Sequence, residues 1–231
     1  MTSKFKLLVV SALSVICVSN SVNAQVFEDD LKKFSNNYFE AGAKLGANYQ
    51  QLSGNPFTTT YNPGAIAGAY IKKRGEILGL QLELNLTTAK YSTEYAVYHK
   101  FEPSRVKYSD TTTKADFNSI YANIPLIIEV RPGRHFAFQF GAQYSYLLSN
   151  TESNGVFTKR YGTEEILNKT SVSVLTGFEL DICKDFRLGA RYTMGFSDMN
   201  AGKYVPLNDK WQNNSLQVCL IYRFKKFGIK I

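Results

Sequence analysis

Apolar and polar side chains alternate with a period of two in eight stretches of this chain, and that recurrence restricts its fold more than any other feature. A strand points successive side chains to opposite faces, so this alternation gives each stretch one greasy and one polar face. In 186–197, Phe186, Leu188, Ala190, Tyr192, Met194 and Phe196 alternate with Arg187, Gly189, Arg191, Thr193, Gly195 and Ser197. The same split runs from Leu78 to Leu86, Ile120 to Val130, Phe136 to Tyr146, Val172 to Ile182 and Leu216 to Phe224. Two weaker stretches complete the set. In 40–52, Ala41, Ala43, Leu45, Ala47 and Tyr49 lie opposite Gly42, Lys44, Gly46 and Asn48. The stretch 64–72 is rich in small residues, and its faces stay unassigned.

The connections alternate as well. Short turns fit Lys73-Arg74-Gly75, Pro132-Gly133-Arg134 and Cys183-Lys184-Asp185, and long polar loops cover 53–62, 92–115, 150–168 and 198–212. An even number of strands joined alternately by short turns and long loops is the plan of an all-β, eight-stranded, antiparallel, up-and-down transmembrane barrel. The turns and both termini then face the periplasm, and the loops face outward. Pro125 cannot donate to a ladder, and it reads as a bulge or a missing rung within its strand.

A soluble sandwich or lipocalin-like barrel would bury the greasy face, whereas a membrane barrel turns it outward. The polar faces carry Glu40, Glu83, Glu129, Glu179 and Asp181 against Lys44, Arg131, Arg187, Arg191 and Arg223. Five acids matched by five bases suit a narrow lumen filled by a charge network, because buried charges must be paired. The aromatics agree with a membrane. Phe39, Phe136, Phe186 and Phe224 fall at the turn end of the greasy face, and Tyr49, Tyr146 and Phe196 at the loop end. Two such belts match the two bilayer interfaces. Eight strands leave an interior that side chains fill, so no open pore is expected. Lys72, Lys73, Arg74, Arg134, Lys184, Lys225, Lys226 and Lys230 read as a basic periplasmic rim.

Residues 1–24 have the three parts of a cleaved signal peptide: Lys4 and Lys6, an apolar run from Leu7 to Val18, and Val22-Asn23-Ala24. Cys17 follows Ser14-Val15-Ile16, a poor lipidation site. Segment 25–38 carries Phe27, Leu31, Phe34 and Tyr38 at helical spacing and is expected to lie in the periplasm, as a short amphipathic helix or a loose tail. Residues 39–231 form the barrel domain. The net charge is +8, and loss of Lys4 and Lys6 lowers it by two. In an exported chain that charge suits anionic outer-membrane lipids and argues against nucleic acid. The remaining expected partners are the barrel assembly machinery during insertion and an envelope protein complex.

Ala41-Gly42-Ala43-Lys44-Leu45-Gly46-Ala47-Asn48, Leu78-Gly79-Leu80-Gln81-Leu82-Glu83-Leu84, Ile124-Pro125-Leu126 and Gly189-Ala190-Arg191-Tyr192 occur in this order, followed by Tyr222-Arg223-Phe224. In these motifs the chain resembles the PorT-type outer-membrane β-barrel family of Bacteroidetes. The resemblance implies an eight-stranded barrel in the outer membrane, and for the family's namesake a link to type IX secretion. Two features depart from the family: seven residues follow Phe224, and the second strand looks short.

Catalysis is not expected. A lipid A or phospholipid-modifying barrel would need a nucleophile, a base and an orienting group close together. His99, with Ser92, Ser104 or Ser109 and Glu94 or Glu102, is the candidate set, but nothing in the sequence fixes its geometry. Glu179 and Asp181 read as lumen ion-pair members rather than metal ligands. No metal or cofactor is expected, because no His or Cys spacing fits one. The leading reading is a non-enzymatic structural or interaction protein. A component of a type IX secretion or gliding assembly and a lipid-modifying enzyme are the alternatives.

Overall fold

A computed structural model describes residues 38–54, 60–75, 77–94, 114–133, 135–153, 167–201 and 210–227. Eight strands follow one another: β1 (Tyr38–Ser53), β2 (Asn62–Arg74), β3 (Leu78–Glu94), β4 (Lys114–Val130), β5 (Phe136–Glu152), β6 (Thr170–Asp181), β7 (Phe186–Gly195) and β8 (Gln212–Phe227). Each pairs antiparallel with the next, and β8 pairs with β1 to close the barrel. Closure removes both sheet edges, so every strand finds backbone partners on two sides. β2 spans 13 residues, longer than its composition suggests. The signal-peptide expectation, the helix expected before Tyr38, and His99, Glu102, Ser104 and Ser109 lie outside the described residues.

The greasy parity faces out. Leu45, Leu84, Leu126, Ile128, Val174 and Leu220 are all exposed on the wall. From Phe136 to Tyr146 the apolar band climbs ten residues, about 34 Å of strand or about 26 Å of height at a tilt near 40°. That height matches the apolar band of an outer-membrane barrel. Rings gather at its lower edge: Phe136 lies 4.6 Å from Phe138 and 5.7 Å from Phe178, and Phe186 lies 5.0 Å from Tyr222. Tyr49, Tyr144, Tyr146 and Phe196 occupy the outer end.

Pro125 leaves a missing rung and not a bulge. Leu82 pairs with Leu126 and Asn85 with Asn123 in one unbroken register, and the two rungs between them are absent. The ladder shifts register elsewhere, opposite Ile120 and Tyr121, where Leu148 of β5 is the extra residue. Small residues on β1 make room for packing inside. A methyl at Gly42 would overlap the Tyr222 carbonyl and the Tyr70 ring, so Gly42 lets the β2 side chain lie across β1. On β6, a methyl at Gly177 would lie 2.7 Å from Arg191 Cγ, so Gly177 leaves the path that Arg191 takes.

Candidate functional site: a lumen in three layers

The lumen side of the periplasmic half holds ionised groups. Glu83 on β3 is fully enclosed. It faces Lys44 Nζ at 2.5 Å and accepts from Arg191 Nη1 at 2.8 Å, from Asn85 at 2.9 Å and from Gln81. Glu179 on β6 lies 3.1 Å from Lys72 Nζ, 3.1 Å from Arg187 Nη1 and 3.2 Å from Arg191 Nη2, and it accepts from Gln139 at 2.6 Å. Glu129 on β4 faces Lys72 and Arg131 at 2.5 Å each. Asp181 lies 3.3 Å from Arg131 and 3.2 Å from Arg187. Glu40 pairs with Arg187 and accepts from the Tyr70 hydroxyl at 2.9 Å. Arg223 lies 3.6 Å from Glu40 and 3.7 Å from Asp185. The ten charged residues singled out above thus lie in one connected cluster.

Of these ten, Lys44 faces Glu83 alone, and each of the other charges lies within 4 Å of at least two of the opposite sign. That arrangement is what low-dielectric burial demands, since removing a charge from water is repaid only by several close partners. Alternation decides which residues meet here. Glu40, Lys44, Glu83, Glu129, Glu179, Arg187 and Arg191 all sit at inward parity on the lower halves of their strands.

The structure corrects one assignment and adds others. Lys72 is not a rim residue: its side chain is 0% exposed and lies between Glu129 and Glu179. Its β2 neighbours Ala65, Ala67 and Ala69 face out, and Ile66 and Tyr70 face in. Small residues occur on both faces of β2, so composition there offers no contrast to read. Tyr70 and Gln139 also belong to the cluster, as neutral donors and acceptors.

Charge does not fill the whole lumen. Towards the loops, Leu52, Ala89, Tyr91, Phe117, Tyr121, Leu167, Met199 and Trp211 form one buried apolar cluster, with Leu147 against it. Trp211, the single tryptophan, is fully buried. Its backbone N–H donates to Asp198 Oδ1 at 3.0 Å, and Met199 N–H donates to the Trp211 carbonyl at 2.8 Å. The Asn168 side chain donates to the carbonyls of Asp198 at 2.8 Å and Asn200 at 2.9 Å. These bonds fold 167–168, 198–200 and 211 into a seat that holds Leu167, Met199 and Trp211 in the mouth. Continuing the inward parity of β3 and β4 past their polar positions reaches Ala89, Tyr91, Tyr121 and Phe117, which is the signal that would have found this layer.

Between the two lies a polar layer of Gln50, Asn123, Gln143, Ser173, Thr193 and Ser215 around a cavity of about 10 Å³. That is about the space of one water. Among the described residues, no group of three or more His, Cys, Asp or Glu side chains is placed to hold a metal ion. Ser92 donates to Asp116 at 2.6 Å at the outer rim, and His135 lies exposed beside a periplasmic turn.

A closed eight-stranded barrel with a greasy wall, a polar and charged lower lumen and short turns at one end defines the class: an outer-membrane β-barrel protein. The sequence matches the outer membrane protein beta-barrel domain family over residues 23–200, and the chain belongs to that family. No curated protein matches it. Solved structures similar to it include Ail, the attachment invasion locus protein of Yersinia pestis, in complex with the heparin analogue sucrose octasulfate. It is 11% identical, with a TM-score of 0.44 over 80% of this chain and 99% of that one. Neisserial surface protein A is 15% identical, with a TM-score of 0.44 over 80% of this chain and 97% of that one. Outer membrane protein W of E. coli is 15% identical, with a TM-score of 0.37 over 81% and 98%.

Proposed function

We propose that this protein is a non-enzymatic outer-membrane barrel with a filled lumen and no open pore, which anchors external loops and contacts other envelope components. One observation carries the reading: an ion-paired layer and an apolar layer both occupy the lumen, in series. Residues 1–24 export the chain, 25–38 stay periplasmic, and the barrel assembly machinery inserts the rest. Outer-membrane lipids surround the wall. The narrower PorT-type resemblance, with a place beside a secretion assembly, rests on the quoted motifs alone.

Two measurements test this. The purified barrel reconstituted in planar bilayers is expected to give no steady conductance, and stable solute-sized steps would overturn the closed lumen. A deletion strain is expected to keep its lipid A masses and its secreted cargo. A lipid A change abolished by His99→Ala would establish the enzyme reading, and cargo loss restored by complementation would establish the secretion reading.

A further inference from the structure

Glu40, at the periplasmic mouth, has one carboxylate oxygen satisfied and one not. Oε1 takes Arg187 and the Tyr70 hydroxyl, whereas Oε2, on a side chain that is 0% exposed, accepts no hydrogen bond. A buried acceptor left without a donor costs the full desolvation of that group. Arg74 near the end of β2 and Arg223 on β8 flank this oxygen, and Nη1 of each lies 3.6 Å from it. That distance exceeds hydrogen-bond length, and neither guanidinium donates a hydrogen bond to a described residue. Both side chains stay partly open at the mouth, 15% and 13% exposed. Across the lower cluster, among the described residues, seven lysines and arginines meet six carboxylates, and one of the six is the half-exposed Asp185. The mouth therefore brings together two guanidiniums that lack acceptors, a carboxylate oxygen that lacks a donor, and a surplus of positive charge.

We propose that this mouth is a binding site for a hydrogen-phosphate anion, a phosphate that keeps a P–O–H group, which bridges Arg74 and Arg223 and donates its proton to Glu40 Oε2 as a hydrogen bond. The two Nη1 atoms lie within about 7 Å of each other, and two hydrogen bonds of about 2.8 Å to neighbouring oxygens of one phosphate span that gap. The guanidinium fork matches phosphate oxygens, and the anion's charge offsets the surplus cation. The P–O–H group is what selects among anions. An ionised carboxylate or sulfate only accepts, so it would set a second negative oxygen against Glu40 Oε2, where P–O–H donates. Both arginine ends turn aside without breaking a hydrogen bond, which opens the path to Oε2 from below. Free phosphate and the phosphomonoester of a lipid share this chemistry. The arginines face the lumen and the bilayer lies outside the wall, so the soluble anion is the occupant. The inference goes beyond the proposed function and holds whatever the loops do.

The test titrates inorganic phosphate, and separately sulfate, into the full chain in phosphatidylcholine nanodiscs at neutral pH and low salt, read by calorimetry. Inorganic phosphate keeps an O–H under these conditions and sulfate does not. One phosphate per barrel is expected to bind, about tenfold or more tighter than sulfate, the worth of one hydrogen bond to a charged group. Arg74→Gln and Arg223→Gln are each expected to weaken phosphate by about tenfold or more, for the same reason, with Trp211 fluorescence confirming the fold. Glu40→Gln replaces the bare acceptor with an amide that can donate, so sulfate should then bind as tightly as phosphate. Absence of saturable phosphate binding, equal affinity for the two anions in the wild type, or unchanged affinity in both arginine variants overturns the proposal. Phosphatidic acid carries the same P–O–H group on a lipid. Placed in the disc, it is expected to leave phosphate binding unchanged, and displacement of phosphate by it overturns the soluble occupant.

Discussion

Replacing Glu179 by Gln tests whether the lower lumen is a dry, interlocked cluster. Gln keeps the size and the contact with Gln139 but removes the charge that faces Lys72, Arg187 and Arg191 at 3.1 to 3.2 Å. Each of these cations keeps a second carboxylate: Glu129 for Lys72, Glu40 and Asp181 for Arg187, and Glu83 for Arg191. The loss is therefore that of one buried partner and not of three isolated charges, about 3–5 kcal/mol. Lys72→Met removes one of the stranded cations, so the double variant is expected to recover at least about 1.5 kcal/mol of the summed single costs. Unfolding by guanidinium in lipid vesicles reads both. Trp211 reports from the opposite end of the lumen, without background from another tryptophan. A cost below about 1 kcal/mol for Glu179→Gln, as at an exposed surface pair, would refute the dry cluster and mean that water screens these charges.

Three further outcomes follow from the same geometry. Leu84→Arg places a cation on the mid-wall, where Leu84 is 59% exposed, and is expected to cost about 2–4 kcal/mol in lipid vesicles. An unchanged unfolding midpoint would mean that this face does not meet hydrocarbon. Trp211→Ala empties the centre of the apolar layer, and it should lower the thermal midpoint with a cost of about 3–5 kcal/mol, read by gel mobility on heating, while planar bilayers stay silent because the charged layer remains. Gly42→Ala should cost about 1–3 kcal/mol through its overlap with Tyr70 and the Tyr222 carbonyl, whereas Gly133→Ala, with nothing within 4 Å, should stay within about 0.5 kcal/mol of the parent.

The parts legible in the sequence are those that parity carries. The inward positions of β3, β4, β6 and β7 follow from alternation, which is why the sequence alone groups Glu83, Glu129, Glu179, Arg187 and Arg191. Lys72 was not legible, because small residues on both faces of β2 give its parity no contrast. The apolar layer was hidden for two other reasons. Leu167, Met199 and Trp211 lie outside the strands, where a period of two has no meaning. The extra residue at Leu148 reverses the inward parity of β5 just above Leu147, which packs against this layer, and a bulge of this kind leaves no mark on hydropathy.

The order of the layers bears on what any single change to this barrel can do. The lower layer holds by charge: its members are ionised side chains, all but Lys44 facing two or more opposite charges, and the loss of one charge would weaken it. The upper layer holds by apolar packing and by the seat built around Asp198 and Asn168, and neither responds to the same influences. Between them the polar layer leaves room for about one water. A ligand or substitution that loosened one layer would leave the other in place, so opening the proposed closed lumen requires two independent changes of unlike chemistry. Selection for a gated channel would couple its barriers to one trigger. Two uncoupled barriers suit a wall that has to stay shut while its loops and rim meet the surroundings.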